Sequence, residues 1–150
     1  MSHRGIIAAK QYADDLPVFD NFEVAHECLM SAQRETLNAL LQEHGVELNL
    51  DFSVESLKRL EKWFLESGSP EAGCNGYSIP HAIGFYFGEI LCRRSGFGWV
   101  VEEFPFQRGR FEIGVKRPLL TIMLTKGKRP GIAGNKRMQS LWRECSGYAP

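Results

Sequence analysis

No apolar run in the sequence approaches the ~20 residues that a membrane-spanning helix needs. Nor does an apolar stretch near the N-terminus have the form of a secretory leader. The four cysteines, Cys28, Cys74, Cys92 and Cys145, are scattered and form no CxxC pair. Their simplest reading is as reduced thiols of a cytoplasmic protein, with Cys28 and Cys92 falling on apolar helix stripes where a thiol behaves as a small hydrophobe. His3, His26, His44 and His81 stand apart, with no HExxH and no Cys/His pair at ligand spacing, so no metal site is expected. The glycines are numerous, but GFYFGE lacks the GxGxxG spacing and GKRPGIAGNKR lacks the Lys-Ser/Thr of a phosphate loop, so no nucleotide cofactor is expected. Charge of one sign is also missing: 18 Lys/Arg face 18 Asp/Glu, far from the basic balance of most nucleic-acid binders.

What is present suits one domain spanning residues 1–150. A chain of 150 residues, 43% hydrophobic, can bury roughly 70% of the surface its unfolded form exposes. The neutral total conceals a division. Residues 1–75 hold 6 Lys/Arg and 13 Asp/Glu, a net −7, and residues 76–150 hold 12 and 5, a net +7. Either acidic helices lie on a basic sheet within the domain, or one half offers a charged surface to a partner.

Residues 1–19 lack a sustained period and read as a loosely attached arm that can add a short edge element. Asp20, three residues before Glu23, reads as a capping box. A helical stripe of Ala25, Leu29, Ala32, Leu37, Leu40 and Leu41 follows, ending at Gly45 in a left-handed turn. Ser53 caps a second helix whose core face is Val54, Leu57, Leu60, Trp63 and Phe64, with Gly68 as its stop. After the Gly/Ser/Pro-rich loop 67–77, a third helix opens near Ser78 with Pro80 in its first turn. Its stripe is Ile79, Ala82, Ile83, Phe87, Ile90 and Leu91. Gly84 and Gly88, one turn apart on that helix, predict a close approach by another element.

From Trp99 the apolar period changes to two, predicting a strand to Phe104, a connection over Pro105–Arg110, and a second strand in which Phe111, Ile113 and Val115 face the core while Glu112 and Gly114 face solvent. The segment Pro118–Thr125 reads two ways: Pro118 suits a helix start, whereas the β-branched LLTIMLT suits a third strand, which is the favoured reading because two strands seldom make a stable sheet. Lys126–Arg137 is a basic loop carrying Lys126, Lys128, Arg129, Lys136 and Arg137, and a short C-terminal helix docks through Trp142. The expected fold is α+β: N-terminal helices packed on a small antiparallel sheet.

Chemistry is sparse. His81, Glu89 and Cys92 form the one triplet with enzymatic potential, although a cysteine nucleophile needs its base within hydrogen-bond reach. Glu89 sits beside an apolar stripe with Arg93 one turn on, which makes it a helix-to-sheet anchor or, alternatively, a catalytic acid. The better expectation is no catalytic residue and a protein partner docked on Phe104, Phe106, Arg108 and Arg110 of the hairpin with the five cations of the basic loop, since aromatics mixed with arginine make binding hot spots. A nucleic-acid accessory role through the basic loop is the alternative.

The run GFYFGEIL, followed by Trp99 after a glycine-rich turn and by Pro118 ahead of an apolar segment, resembles a recurring small bacterial domain with an aromatic-x-Gly-Glu helix and a Trp-bearing strand. The resemblance spans about residues 50–125 and rests on Phe85, Gly88, Glu89 and Trp99. It implies a small cytosolic α+β protein, in some cases an immunity protein that neutralises a toxin or effector.

Overall fold

Asn21, one residue past the expected Asp20, caps the first helix: its side chain accepts a hydrogen bond from the Val24 amide at 2.9 Å. The computed structural model describes residues 16–124. Within them run α1 (Phe22–His44), α2 (Val54–Glu66), α3 (Ile79–Arg94), β1 (Gly98–Glu103), β2 (Phe111–Arg117) and β3 (Leu120–Met123). The strands form an antiparallel meander in the order β1-β2-β3, and the expected third strand is present. The fold is α+β. The C-terminal helix expected around Trp142, and the basic loop Lys126–Arg137, lie outside the described residues.

Gly45 does not take the left-handed conformation that its place after α1 suggests; its φ is −58°. A Cβ there would press on the Leu41 carbonyl, which accepts the Gly45 amide, so close approach is what asks for glycine. Left-handed backbone falls instead on Asn49 and Phe52, at φ 49° and 61°. Ser53 and Ser78 cap α2 and α3 as expected, accepting from the amides of Ser56 and His81. Two positions on α1 depart from the expected stripe. Ala32 and Cys28 are exposed while Gln33 is buried, because the face toward α3 follows Ala25, Leu29, Gln33, Leu37 and Leu40.

One layer of helices covers one face of the sheet. In the β1–β2 register Trp99 opposes Val115 and Val101 opposes Ile113; Val115 in turn opposes Ile122 of β3. These side chains meet α3, whose Ile83, Tyr86, Phe87, Ile90 and Leu91 are fully buried. On the far face the alternation did not predict burial correctly. Glu112 is only 7% exposed, beside Glu102 of β1, and Gly114 is buried on the central strand between Val100 of β1 and Met123 of β3.

The close approach predicted by Gly84 and Gly88 is a seam between α3 and the sheet. A Cβ on Gly88 would lie 2.5 Å from Leu124 Cδ1 and 2.7 Å from Trp99 Cη2, and one on Gly84 3.5 Å from the Leu124 carbonyl. The Trp99 ring meets Phe85 edge to face at 6.1 Å, and its indole Nε1 donates to Glu89 Oε2 at 2.9 Å. Arg93 Nε donates to the other oxygen of the same carboxylate at 3.2 Å. Glu89 is therefore the helix-to-sheet anchor.

Candidate partner-binding surface

The hairpin connection departs from the sheet at Phe104, whose amide donates to the Arg110 carbonyl at 2.7 Å. Gly109 closes the turn at φ +82°, a conformation that suits glycine, and its amide donates to Glu103 Oε2 at 2.9 Å. The four hairpin residues expected to meet a partner then separate into two pairs. Phe104 is buried at 9% exposure and Arg110 is half-buried, its Nη1 donating to the Leu16 carbonyl at 2.6 Å. Both serve the fold, because the strand pairing turns Phe104 inward and the preceding segment needs a donor for its carbonyl. Phe106 and Arg108 remain outside, with Phe106 62% exposed and resting edge to face on Phe104 at 5.6 Å.

Residues 16–19, the end of the expected arm, are bound to the hairpin. Val18 bridges Arg110, the Phe19 amide donates to Gly109, and the Phe111 amide donates to the Pro17 carbonyl. This pairing draws the start of α1 against the hairpin and leaves a cleft of about 670 Å³ between them, within the size range of ligand and side-chain pockets. Phe19 and Phe111, edge to face at 6.0 Å, form its apolar lining together with Phe22, while Asp20, Glu103 and Arg108 supply charge. Asp20, Phe22 and Arg108 are all exposed. Sequence reasoning missed this cleft, because its walls come from segments over eighty residues apart and Asp20 read as a helix cap. The five cations of the basic loop lie outside the described residues.

Among the described residues, charged side chains pair with partners from their own half of the chain. Asp51–Arg59, Lys62–Glu66, Glu89–Arg93 and Glu102–Lys116 each pair within one half of the chain. Cations of the basic half reach the acidic half through carbonyl oxygens, Arg94 to Phe52 at 2.8 Å and Arg110 to Leu16.

The His81, Glu89 and Cys92 triplet is not arranged for nucleophilic chemistry. Both Glu89 oxygens are held by Trp99 and Arg93, and burial, reinforced by the Glu89 charge, pushes the Cys92 thiol up to about 12. A thiol that holds its proton at neutral pH is a poor nucleophile. Iodoacetamide at neutral pH should therefore modify the exposed Cys28 and Cys74 and spare Cys92 in the folded protein, as read by peptide mass spectrometry. Prompt labelling of Cys92 would contradict a thiol held protonated in its half-buried place. Among the described residues no group of three His, Cys, Asp or Glu could hold a metal ion, and no helix is long and apolar enough to cross a membrane.

Fold and surface together define a small α+β domain in which α1 and α3 pack on a three-stranded sheet, with an aromatic loop beside a charged cleft. The chain belongs to a known family: residues 18–130 match the family described as "Uncharacterised protein YwmA". A relative described as "Uncharacterized protein YwmA", from Bacillus subtilis (strain 168), is 29% identical over 126 residues, covering 78% of this chain and 78% of its own length. No solved structure matches at a significant level. The family match reaches further toward the N-terminus than the resemblance carried by Phe85, Gly88, Glu89 and Trp99, and so includes α1 and both walls of the cleft.

Proposed function

We propose that the chain is a cytoplasmic protein-binding domain that docks through the hairpin loop and the adjacent cleft. The observation that carries this reading is Phe106: a large ring left 62% in solvent, backed by Phe104, next to an exposed arginine and a partly apolar cleft. An aromatic held in position on a buried neighbour loses little side-chain freedom on binding, and Phe with Arg is the usual composition of an interface centre. The free thiols of Cys28, Cys74 and Cys92 support a reducing compartment. Blocking the active site of a toxin or effector, as an immunity protein does, is the finer form of this reading. It is supported by the sequence resemblance alone.

A photo-crosslinking amino acid in place of Phe106, used in the producing cells, tests the proposal. The expected result is an adduct to a protein, reduced about tenfold when Arg108→Glu is added. Phe106→Ala and Arg108→Glu should each leave stability within about 0.5 kcal/mol, as for other surface positions. Arg110 is left unchanged because it anchors Leu16. No protein adduct, or an adduct to nucleic acid alone, would remove this surface as a protein-docking site.

A further inference from the structure

The cleft beside the hairpin is complementary to the hairpin loop itself, and we infer that the partner it fits is a second copy of this chain. This rests on the docking surface proposed above and names its occupant. Phe106 and Arg108 project from a loop whose next residue, Gly109, already lines the cleft, so the apolar knob and the hole are adjacent on one face of the molecule. In the hole, Phe19, Phe22 and Phe111 offer an aromatic lining of the kind a phenylalanine ring fills.

The charges have the same self-complementary arrangement. Asp20 and Arg108 both line the cleft, both are exposed, and they form no ion pair with one another. A twofold axis beside the loop sets Arg108 of one copy against Asp20 of the other, and repeats the contact in reverse. An isologous interface requires this reciprocity, residue i meeting j and j meeting i. A surface aimed at an acidic partner would carry cations without a carboxylate among them. Here both signs line one cleft, Asp20 and Glu103 with Arg108. The net charge of zero also leaves no overall repulsion between copies.

Sedimentation equilibrium of the full chain over a range of concentrations tests this. The expected result is a monomer–dimer equilibrium that weakens as salt rises, with Phe106→Ala raising the dissociation constant about tenfold or more. Asp20→Arg and Arg108→Asp should each weaken the dimer, since each sets like charges against one another at both contacts. Mixed in equal amounts, these two variants should associate again, because the mixed dimer restores one native pair and forms one reversed pair. Circular dichroism melting of each variant confirms that the fold is intact. A wild-type chain that stays monomeric, a dimer indifferent to Phe106→Ala, or a mixture no tighter than its components would each overturn the inference. If the chain is monomeric yet the crosslinker at position 106 captures a different protein in an Arg108-dependent way, the second-copy assignment fails and the docking surface stands. If there is neither a dimer nor an adduct, both fail.

Discussion

Trp99→Ala should lower the unfolding free energy by about 3 kcal/mol, the low end of the range for aromatic truncation because Trp99 is only partly buried. Three contacts disappear together: the packing on Gly88, the edge-to-face contact with Phe85, and the indole donor to Glu89. Trp99→Phe keeps part of the packing and loses the donor, so it should fall between the two. Gly88→Ala gains about 1 kcal/mol of helix propensity, yet its methyl would meet the rigid indole and Leu124, and overpacking of about 1–3 kcal/mol should outweigh the gain. In a Trp99→Ala background one of the two obstructing side chains is gone, and the cost of Gly88→Ala should shrink, giving a coupling in the double-mutant cycle. Denaturant titration measures all four proteins, and an unchanged midpoint for Trp99→Ala would mean that the seam does not hold helix to sheet.

Tyr86→Phe, which removes a single oxygen, should lower stability by about 1–2 kcal/mol, since the Phe52 amide loses its acceptor while Ser56 Oγ keeps the Ser53 carbonyl. The Tyr86 hydroxyl accepts from the Phe52 amide at 2.8 Å and shares a 2.6 Å hydrogen bond with Ser56 Oγ, both residues of the pair being fully buried. Phe52 holds φ 61°, a left-handed conformation that is costly for a bulky residue and persists only where its surroundings impose it. Those surroundings are stacking on Tyr86 at 5.0 Å, Arg93 over the ring at 3.7 Å, and Arg94 donating to the Phe52 carbonyl. Burial raises the pKa of the Tyr86 hydroxyl, which keeps it protonated at neutral pH. Amide exchange should accelerate at Phe52 together with the loss of stability. Native protection of that amide in Tyr86→Phe, with an unchanged denaturation midpoint, would show that Phe52 is held by other contacts.

Helix and strand identity was largely legible within the described residues because it is written in local periods. Ser53 and Ser78 announce their helices, and the change from a period near 3.6 to two marks where α3 yields to β1, whereas the run after Pro118 suited helix or strand and became β3 by pairing with β2. Gly84 and Gly88 signalled a close approach, and Glu89 signalled an anchor, since a carboxylate beside an apolar stripe needs a partner. The identity of those partners was not written locally. Trp99, Leu124 and Phe52 meet α3 only after the chain has folded back on itself. For the same reason local spacing pointed to Asp20 rather than Asn21 as the cap, to a buried Cys28, and to a solvent-facing Glu112. The cleft is the extreme case: the segment around Phe19–Phe22 and the segment around Glu103–Phe111 carry no shared period, and only the pairing of Val18 with Arg110 brings them together. Sequence by itself determined the elements and their apolar faces, because backbone sterics and burial act between near neighbours. Tertiary structure alone decided which exposed side chains share a surface, because that depends on contacts between residues far apart in the chain.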